Sequence, residues 1–407
     1  MLAMTESVTP EFAPALVSAQ GVTPTPESAT ADARFATRVL GNAASARRTF
    51  ISARRSCKLR LAQPPVAHFP ETAMRLAAFL AASLVSTAAF AQKETPVRFA
   101  LDWRFEGPAA PYFVAIDKGY YKAEGLAVSI DAGTGSVEGI NRVASGAYEI
   151  GFADINSLVK YRDNPRNLPV KAVMMVYDTP AFSIVTLKKN GIAKPKDLEG
   201  KVLGAPAPDG AYAQWPIFVR ANNIDASKVK IENIGFPVRE PMLAQGKVDA
   251  ITGFWFSSFM NLRANNVAAD DIVVLHMRDY GVDLYGNAII ANPDFMRFSP
   301  KAVAGFVKAT IRGIQETVKR PETAIDSLMK RNPIAKREVE LERLKLALAR
   351  NFVTPDVQKN GLGAVDTKRL ERSIEQIGLT FQYTNKPKPA DIFTSQYLPP
   401  REQRLVK

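Results

Sequence analysis

From Val97 onward, short apolar runs alternate with longer stretches that carry polar residues on one side. Residues 97–101, 126–130, 148–152, 171–176 and Phe182–Leu187 read as strands. So do 201–204, 229–234, 250–252, 272–275 and 287–290. Between them, 111–118 and 137–145 have helical spacing, and Gly119 and Gly146 stand where a helix C-cap needs a left-handed residue. Pro216 marks the first turn of a further helix near Gln214-Trp215, since proline costs no hydrogen bond there. Strand–helix–strand succession predicts βαβ units and a mainly parallel sheet. After Pro300 the period is helical, over 301–319, 321–331, 336–350 and 366–377, and a tail rich in proline follows Lys386.

Two segments repeat one pattern at a spacing of about 100 residues: VASGAYEIGFAD, from Val143 to Asp154, and LAQGKVDAITGF, from Leu243 to Phe254. Each is a helix end, a glycine turn and a short strand. The repeat predicts two similar α/β lobes.

The first 91 residues have a different character. Leu76 to Ala89 is almost wholly apolar, preceded by Met74-Arg75 and ending at Ala89-Phe90-Ala91. A charged start, a short apolar stretch and a small-x-small site are the parts of an export signal, and the stretch is shorter than the ~20 residues a spanning helix needs. Residues 74–91 are therefore expected to be a cleaved signal peptide, with delivery to the periplasm. Residues 1–73 are expected to be a non-native or disordered leader, with Met74 the working start.

This division changes the charge. The whole chain of 407 residues has 53 Lys+Arg, 40 Asp+Glu, two His and one Cys, for a net charge of +13. Nine of the basic and five of the acidic residues precede Gln92, which leaves 44 and 35, or +9. Cys57 lies in the leader, so the expected product keeps only His276 of the Cys and His residues. The lysines and arginines that remain are interleaved with acids, glycine and proline, as solvated faces are, and form no nucleic-acid stripe. There is no phosphate loop, no GxGxxG after a strand, no Gly-x-Ser-x-Gly elbow and no metal-ligand spacing, so neither metal nor cofactor is expected.

What stands out is where the aromatic and polar loop residues fall. Ligands of open α/β sheets bind beyond the C-terminal ends of the strands. Trp103, Phe105, Tyr177, Tyr212 and Trp255 all follow expected strands, and aromatic walls bury flat solutes. Thr134, Gly135 and Ser136 precede a helix, where N–H groups suit a carboxylate or sulfonate, although Ser136 serves equally as a plain N-cap. Asp154, Asp209 and Gly210 sit at strand ends, with Tyr285 and Asn287 at the return strand. Carboxylates around one cleft disfavour a strongly anionic solute.

The motifs LDW (101–103), DKGYYKAEGL (117–126), ASGAYEIGFAD (144–154), GIAKPKDLEGKVLGAPAP (191–208) and GKVDAITGF (246–254) resemble periplasmic solute-binding proteins of nitrate/sulfonate/taurine-type ABC importers. The LDW motif is similar to the branch that contains thiamine-pyrimidine-precursor and riboflavin-type binders and the hydroxymethylpyrimidine synthases. The resemblance implies a two-lobe periplasmic binding protein fold, type II-like, with two crossover strands as hinge. Lobe one is then 95–185 plus 284–407, lobe two is 186–283, and the crossovers are Phe182–Leu187 and 285–290. It implies a monomer that captures a small organic solute between the lobes and presents it to a membrane permease and its ATPase, with no catalysis. The synthases carry a Cys-rich motif and a catalytic His. Here Glu106-Gly107-Pro108 stands in that turn, which argues against the alternative of pyrimidine-precursor synthesis.

Overall fold

The structure, a computed structural model, describes residues 93–406. The expected leader and export signal, residues 1–91, lie outside the described residues.

Ten strands follow one another: β1 (Thr95–Ala100), β2 (Leu126–Asp131), β3 (Ile150–Asp154), β4 (Lys171–Met175), β5 (Phe182–Leu187), β6 (Val202–Ala205), β7 (Lys230–Asn233), β8 (Ala250–Phe254), β9 (Ile272–His276) and β10 (Asn287–Ala291). They form two five-stranded sheets, β2-β1-β3-β10-β4 and β7-β6-β8-β5-β9. In each sheet four strands run one way and one is reversed, β10 in the first and β5 in the second. The expectation of mainly parallel sheets thus holds with one antiparallel strand in each. The reversed strand is the one the chain enters on crossing from the other sheet. It crosses outward between Met175 and Phe182 and returns between His276 and Asn287.

The two sheets share one connectivity, which the sequence repeat marks. Val143–Asp154 leads into β3 and Leu243–Phe254 leads into β8, the central strand of each sheet. Gly146 and Gly246 take nearly the same left-handed φ, +76° and +72°. The acid that follows makes the same bond twice. Glu149 Oε2 accepts the Arg98 N–H of β1 at 2.7 Å, and Asp249 Oδ2 accepts the Val202 N–H of β6 at 2.8 Å.

β3 and β10 are buried throughout and read as continuous apolar runs, as strands covered on both faces must. Edge strand β2 alternates. Ten helices of six residues or more matter below: α1 (Ala110–Asp117), α2 (Ser136–Ala144), α3 (Ile155–Arg162), α4 (Trp215–Ala221), α5 (Arg239–Ala244), α6 (Trp255–Ala264), α7 (Pro300–Lys319), α8 (Pro321–Met329), α9 (Arg337–Ala347) and α10 (Thr367–Gly378). α7 buries Val303, Phe306, Val307, Thr310, Ile311 and Ile314, a helical stripe, against the first sheet with α1. The expected helix over 336–350 ends earlier, at Ala347, and one π-turn, Leu348–Phe352, takes over. The expected strand over 148–152 starts later, because Tyr148 N–H closes the glycine turn onto Arg142 O at 3.2 Å. A single apolar cluster joins Ile140, Ile155 and Leu158 of the first sheet's helices to Phe182 and Leu203 of the second sheet and Trp215 of α4. Among the described residues no helix is long and apolar enough to cross a membrane.

Candidate functional site

The C-terminal ends of both sheets' parallel strands face one cavity. From the first sheet come Leu101 to Arg104 after β1, Gly135 after β2, Phe152 in β3 and Tyr177 after β4. From the second come Asp209 after β6, Phe236 and Arg239 after β7, Phe254 at the end of β8, and Phe256 and Ser257 in the first turn of α6. Glu106, Pro108, Ala109 and Tyr112 close it on the α1 side. The fold makes this the place where loops from equivalent strands converge.

Aromatic edges form the walls. Trp103 meets Phe236 of the other lobe at 4.6 Å between ring centres and 73°. Tyr177 meets Phe152 at 5.2 Å and Phe254 at 6.4 Å, both edge-on. The Arg239 guanidinium sits 5.7 Å from the Trp103 ring and 5.6 Å from the Phe236 ring. It is held there by Glu240 Oε1 at 2.9 and 2.6 Å, with Asp209 Oδ2 3.8 Å away. A cation over an aromatic pair and between two carboxylates is balanced although it is buried.

Asp102 is the polar centre. It is buried, and both its bonds go to one oxygen: Asn287 Nδ2 donates to Oδ2 at 2.5 Å and Ser136 Oγ at 3.1 Å. The same carboxyl lines the cavity, and its Oδ1 takes no hydrogen bond from any other described residue. Burial pushes its pKa up to about 7, against the two hydrogen bonds, which favour the anion. At neutral pH this group can therefore accept or donate. Two further donors, Trp103 Nε1 and the Tyr112 hydroxyl, are buried with no partner among the described residues, and both side chains line the cavity. Buried donors of this kind are costly unless something pairs with them.

Of the residues singled out from the sequence, the cavity brings together Trp103, Gly135, Tyr177 and Asp209. Asn287 and Ser136 stand one layer behind and orient Asp102. The others serve elsewhere. Asp154 caps α3, accepting Asn156 N at 3.1 Å and Ser157 N at 2.9 Å, and Gln214 of the second lobe donates to it at 3.2 Å, so its lone pairs are spent. The loop before α2 offers no free anion nest. Gly133 N–H donates to Trp103 O, Gly135 N–H to Asp102 O, and Thr134, which is exposed, to Glu138. Gly210 packs against Asp154 and Ser136, and Tyr212 against the apolar cluster. Phe105 turns into the first core against Phe113 at 4.9 Å. Trp255 donates Nε1 to Asn351 at 3.1 Å and packs on His276, whose pKa burial pulls down to about 4. Tyr285 lies behind the hinge under Arg369, 3.9 Å from ring centre to guanidinium.

Sequence reasoning missed Asp102, Glu106, Tyr112, Phe236, Arg239, Phe254, Phe256 and Ser257 as cavity residues. Asp102 lay in plain view inside LDW, and Phe254 closes the second repeat. Arg239 follows a strand too short and polar to announce a site, KIEN in β7.

Comparison with known proteins agrees with this geometry. The family model described as NMT1/THI5 like matches residues 108–324. The chain is 28% identical over 278 residues to the formylaminopyrimidine-binding protein of Halalkalibacterium halodurans, covering 66% of this chain and 82% of that one. It is 26% identical over 300 residues to the riboflavin-binding protein RibY of Chloroflexus aurantiacus, covering 71% and 82%. It is 25% identical over 248 residues to a 4-amino-5-hydroxymethyl-2-methylpyrimidine phosphate synthase of Aspergillus parasiticus, covering 58% and 71%. In fold it is similar to the alkanesulfonate-binding protein SsuA of Xanthomonas axonopodis pv. citri, with a TM-score of 0.57, 12% identity, and coverage of 74% and 99%. Two mixed sheets flanked by helices, a cavity between them and a family match over more than half the chain lead to one conclusion: the chain belongs to the NMT1/THI5-like family.

Proposed function

We propose that the protein is the solute-binding component of an ABC importer, secreted to the periplasm, and that it captures a flat, nitrogen-bearing aromatic solute in the cavity between its lobes. The observation that carries this is the pairing of aromatic walls from both lobes with one buried carboxyl, Asp102, whose second oxygen takes no hydrogen bond from any other described residue. A heteroaromatic ring fills such a slot by stacking and edge contacts, and a ring N–H or amino group completes Asp102. Trp103 Nε1 and the Tyr112 hydroxyl suit acceptor atoms on the same solute. In the cavity wall the carboxyls of Asp102, Glu106 and Asp209 outnumber the cations of Arg104 and Arg239, which disfavours a sulfonate or other strong anion at this spot. The fully pyrimidine-like or flavin-like choice rests on the names of the relatives, and both contain rings of this kind.

Lobe one in this reading is 95–185 plus 284–407 and lobe two 186–283, with closure about the two crossings holding the solute. A ligand shifts that equilibrium only by its preference for the closed form. Permease and ATPase subunits are the partners that read the closed shape.

A thermal-shift screen of the full chain against aminopyrimidines, flavins, aromatic acids and alkanesulfonates tests the proposal, since a ligand bound only by the native state raises the melting temperature. Stabilisation by a nitrogen heterocycle and not by an alkanesulfonate is expected. Stabilisation by the sulfonate alone, or turnover of a pyrimidine, overturns it.

A further inference from the structure

An arm of the first lobe lies across the second. α9 packs on the turn Gly107–Ala109 beside the cavity and runs on into the π-turn Leu348–Phe352. Single π-turns inside helices often mark functional positions. From this arm two buried side chains reach α6 of the other lobe. Arg343 Nη1 and Nη2 each lie 3.1 Å from Asn261 Oδ1, and Nη1 lies 3.4 Å from Ser257 O. Asn351 Oδ1 accepts Trp255 Nε1 at 3.1 Å, while its amide donates to Thr179 O in the outward crossing at 2.9 Å.

The same guanidinium is tied to the cavity. Arg343 Nη1 donates to Glu106 Oε2 at 2.9 Å, and Ser257 Oγ of the second lobe donates to that oxygen at 2.6 Å. Nε and Nη2 go to the two oxygens of Glu340, 3.1 Å each. Glu340 Oε2 also takes the Gly107 N–H at 2.6 Å. One arginine thus sits between two carboxylates, with its remaining hydrogens met by acceptors from the opposite lobe. A buried ion pair is tolerated only when its spare donors and acceptors are filled. Here they are filled only while α9 and α6 are together. Opening removes Asn261 and Ser257, and leaves Arg343 short of acceptors and Glu106 short of a donor.

We infer that Arg343 is a positioning residue: with Asn351 it latches the arm to α6, and in the closed form it shares Glu106 in the cavity wall with Ser257 of the second lobe. The inference rests on the solute-binding reading for its purpose, but the latch acts without solute. It makes the closed state detectable in the free protein and slows its opening.

The test is single-molecule energy transfer on the full chain with one dye on each lobe (Lys122→Cys and Lys230→Cys, with Cys57→Ser) and no ligand added. Asn261→Ala removes the side-chain acceptor on the second lobe, with only the longer contact to Ser257 O remaining, and leaves the first lobe's ion pairs whole. It should lower the ratio of closed to open by about tenfold, the scale of a hydrogen bond to a charged group. Arg343→Met should lower it at least as far. Arg343→Lys, which reaches Glu106 but cannot fork onto Asn261, should recover part of it. An unchanged ratio in both Asn261→Ala and Arg343→Lys overturns the latch. Since no solute is present, failure of the heterocycle proposal leaves this outcome unaffected.

Discussion

Asp102 concentrates the chemistry of the site in one residue. It is buried, and its pKa stands about three units above that of a free aspartate, at about 7. An acid whose folded pKa is raised stabilises the fold below its unfolded pKa and loses that contribution as pH rises through the folded value. Between pH 4 and 7, therefore, Asp102 works progressively against folding. Asp102→Asn keeps the shape and removes the titration. We expect the variant to gain stability relative to wild type as pH rises over that window, by roughly 2–4 kcal/mol at pH 7.5, measured by urea denaturation at a series of pH values. Parallel wild-type and variant curves would place the titration elsewhere. A solute that donates to Oδ1 favours the anion, so wild-type binding should release a proton near neutral pH, and the variant should not.

At the scale of elements, the turn from β2 into α2 decides how closely the lobes approach. Gly135 has φ of +121°, and a Cβ there would stand 2.7 Å from Pro208 O of the other lobe. Gly135→Ala should cost at least about 1 kcal/mol from backbone strain alone, and should also hold the lobes apart. The measurement is the melting temperature with and without a stabilising solute; a variant that melts and responds like wild type would show that the loop yields freely.

How much could be read from the sequence differed by the range of the interaction. The strands and most helices were legible because apolar period and glycine turns are local signals. The repeat of Val143–Asp154 in Leu243–Phe254 was legible for the same reason, and it marked equivalent strands. Element ends were less so: nothing local announces that α9 yields to a π-turn at Leu348. In the site, Trp103, Tyr177 and Asp209 could be found from strand ends. Asp154 and Trp255 met the same criterion yet serve elsewhere: Asp154 is spent on capping α3 through Asn156 and Ser157, and Trp255 is drawn to Asn351, 96 residues away. Arg239 was hidden because its value lies in what surrounds it: Glu240 and Asp209, the latter 30 residues away in the chain, and Trp103 from the other lobe.

For the whole molecule, closure is the property on which the proposals converge. The lobes meet through an apolar cluster, through Asp154 with Gln214, through Lys160 donating to Ala213 O at 2.7 Å, and through the Arg343 arm. On the proposed function, a solute between them would add contacts to both sides, chiefly where Trp103 meets Phe236. The sharpest trial is isothermal titration calorimetry of wild type and Trp103→Ala with whichever nitrogen heterocycle raises the melting temperature most. Loss of the indole should weaken binding by about 1–3 kcal/mol, roughly a factor of 5 to 150 in Kd, the scale of one buried aromatic contact. An unchanged Kd for Trp103→Ala would contradict it and place the solute outside this cavity.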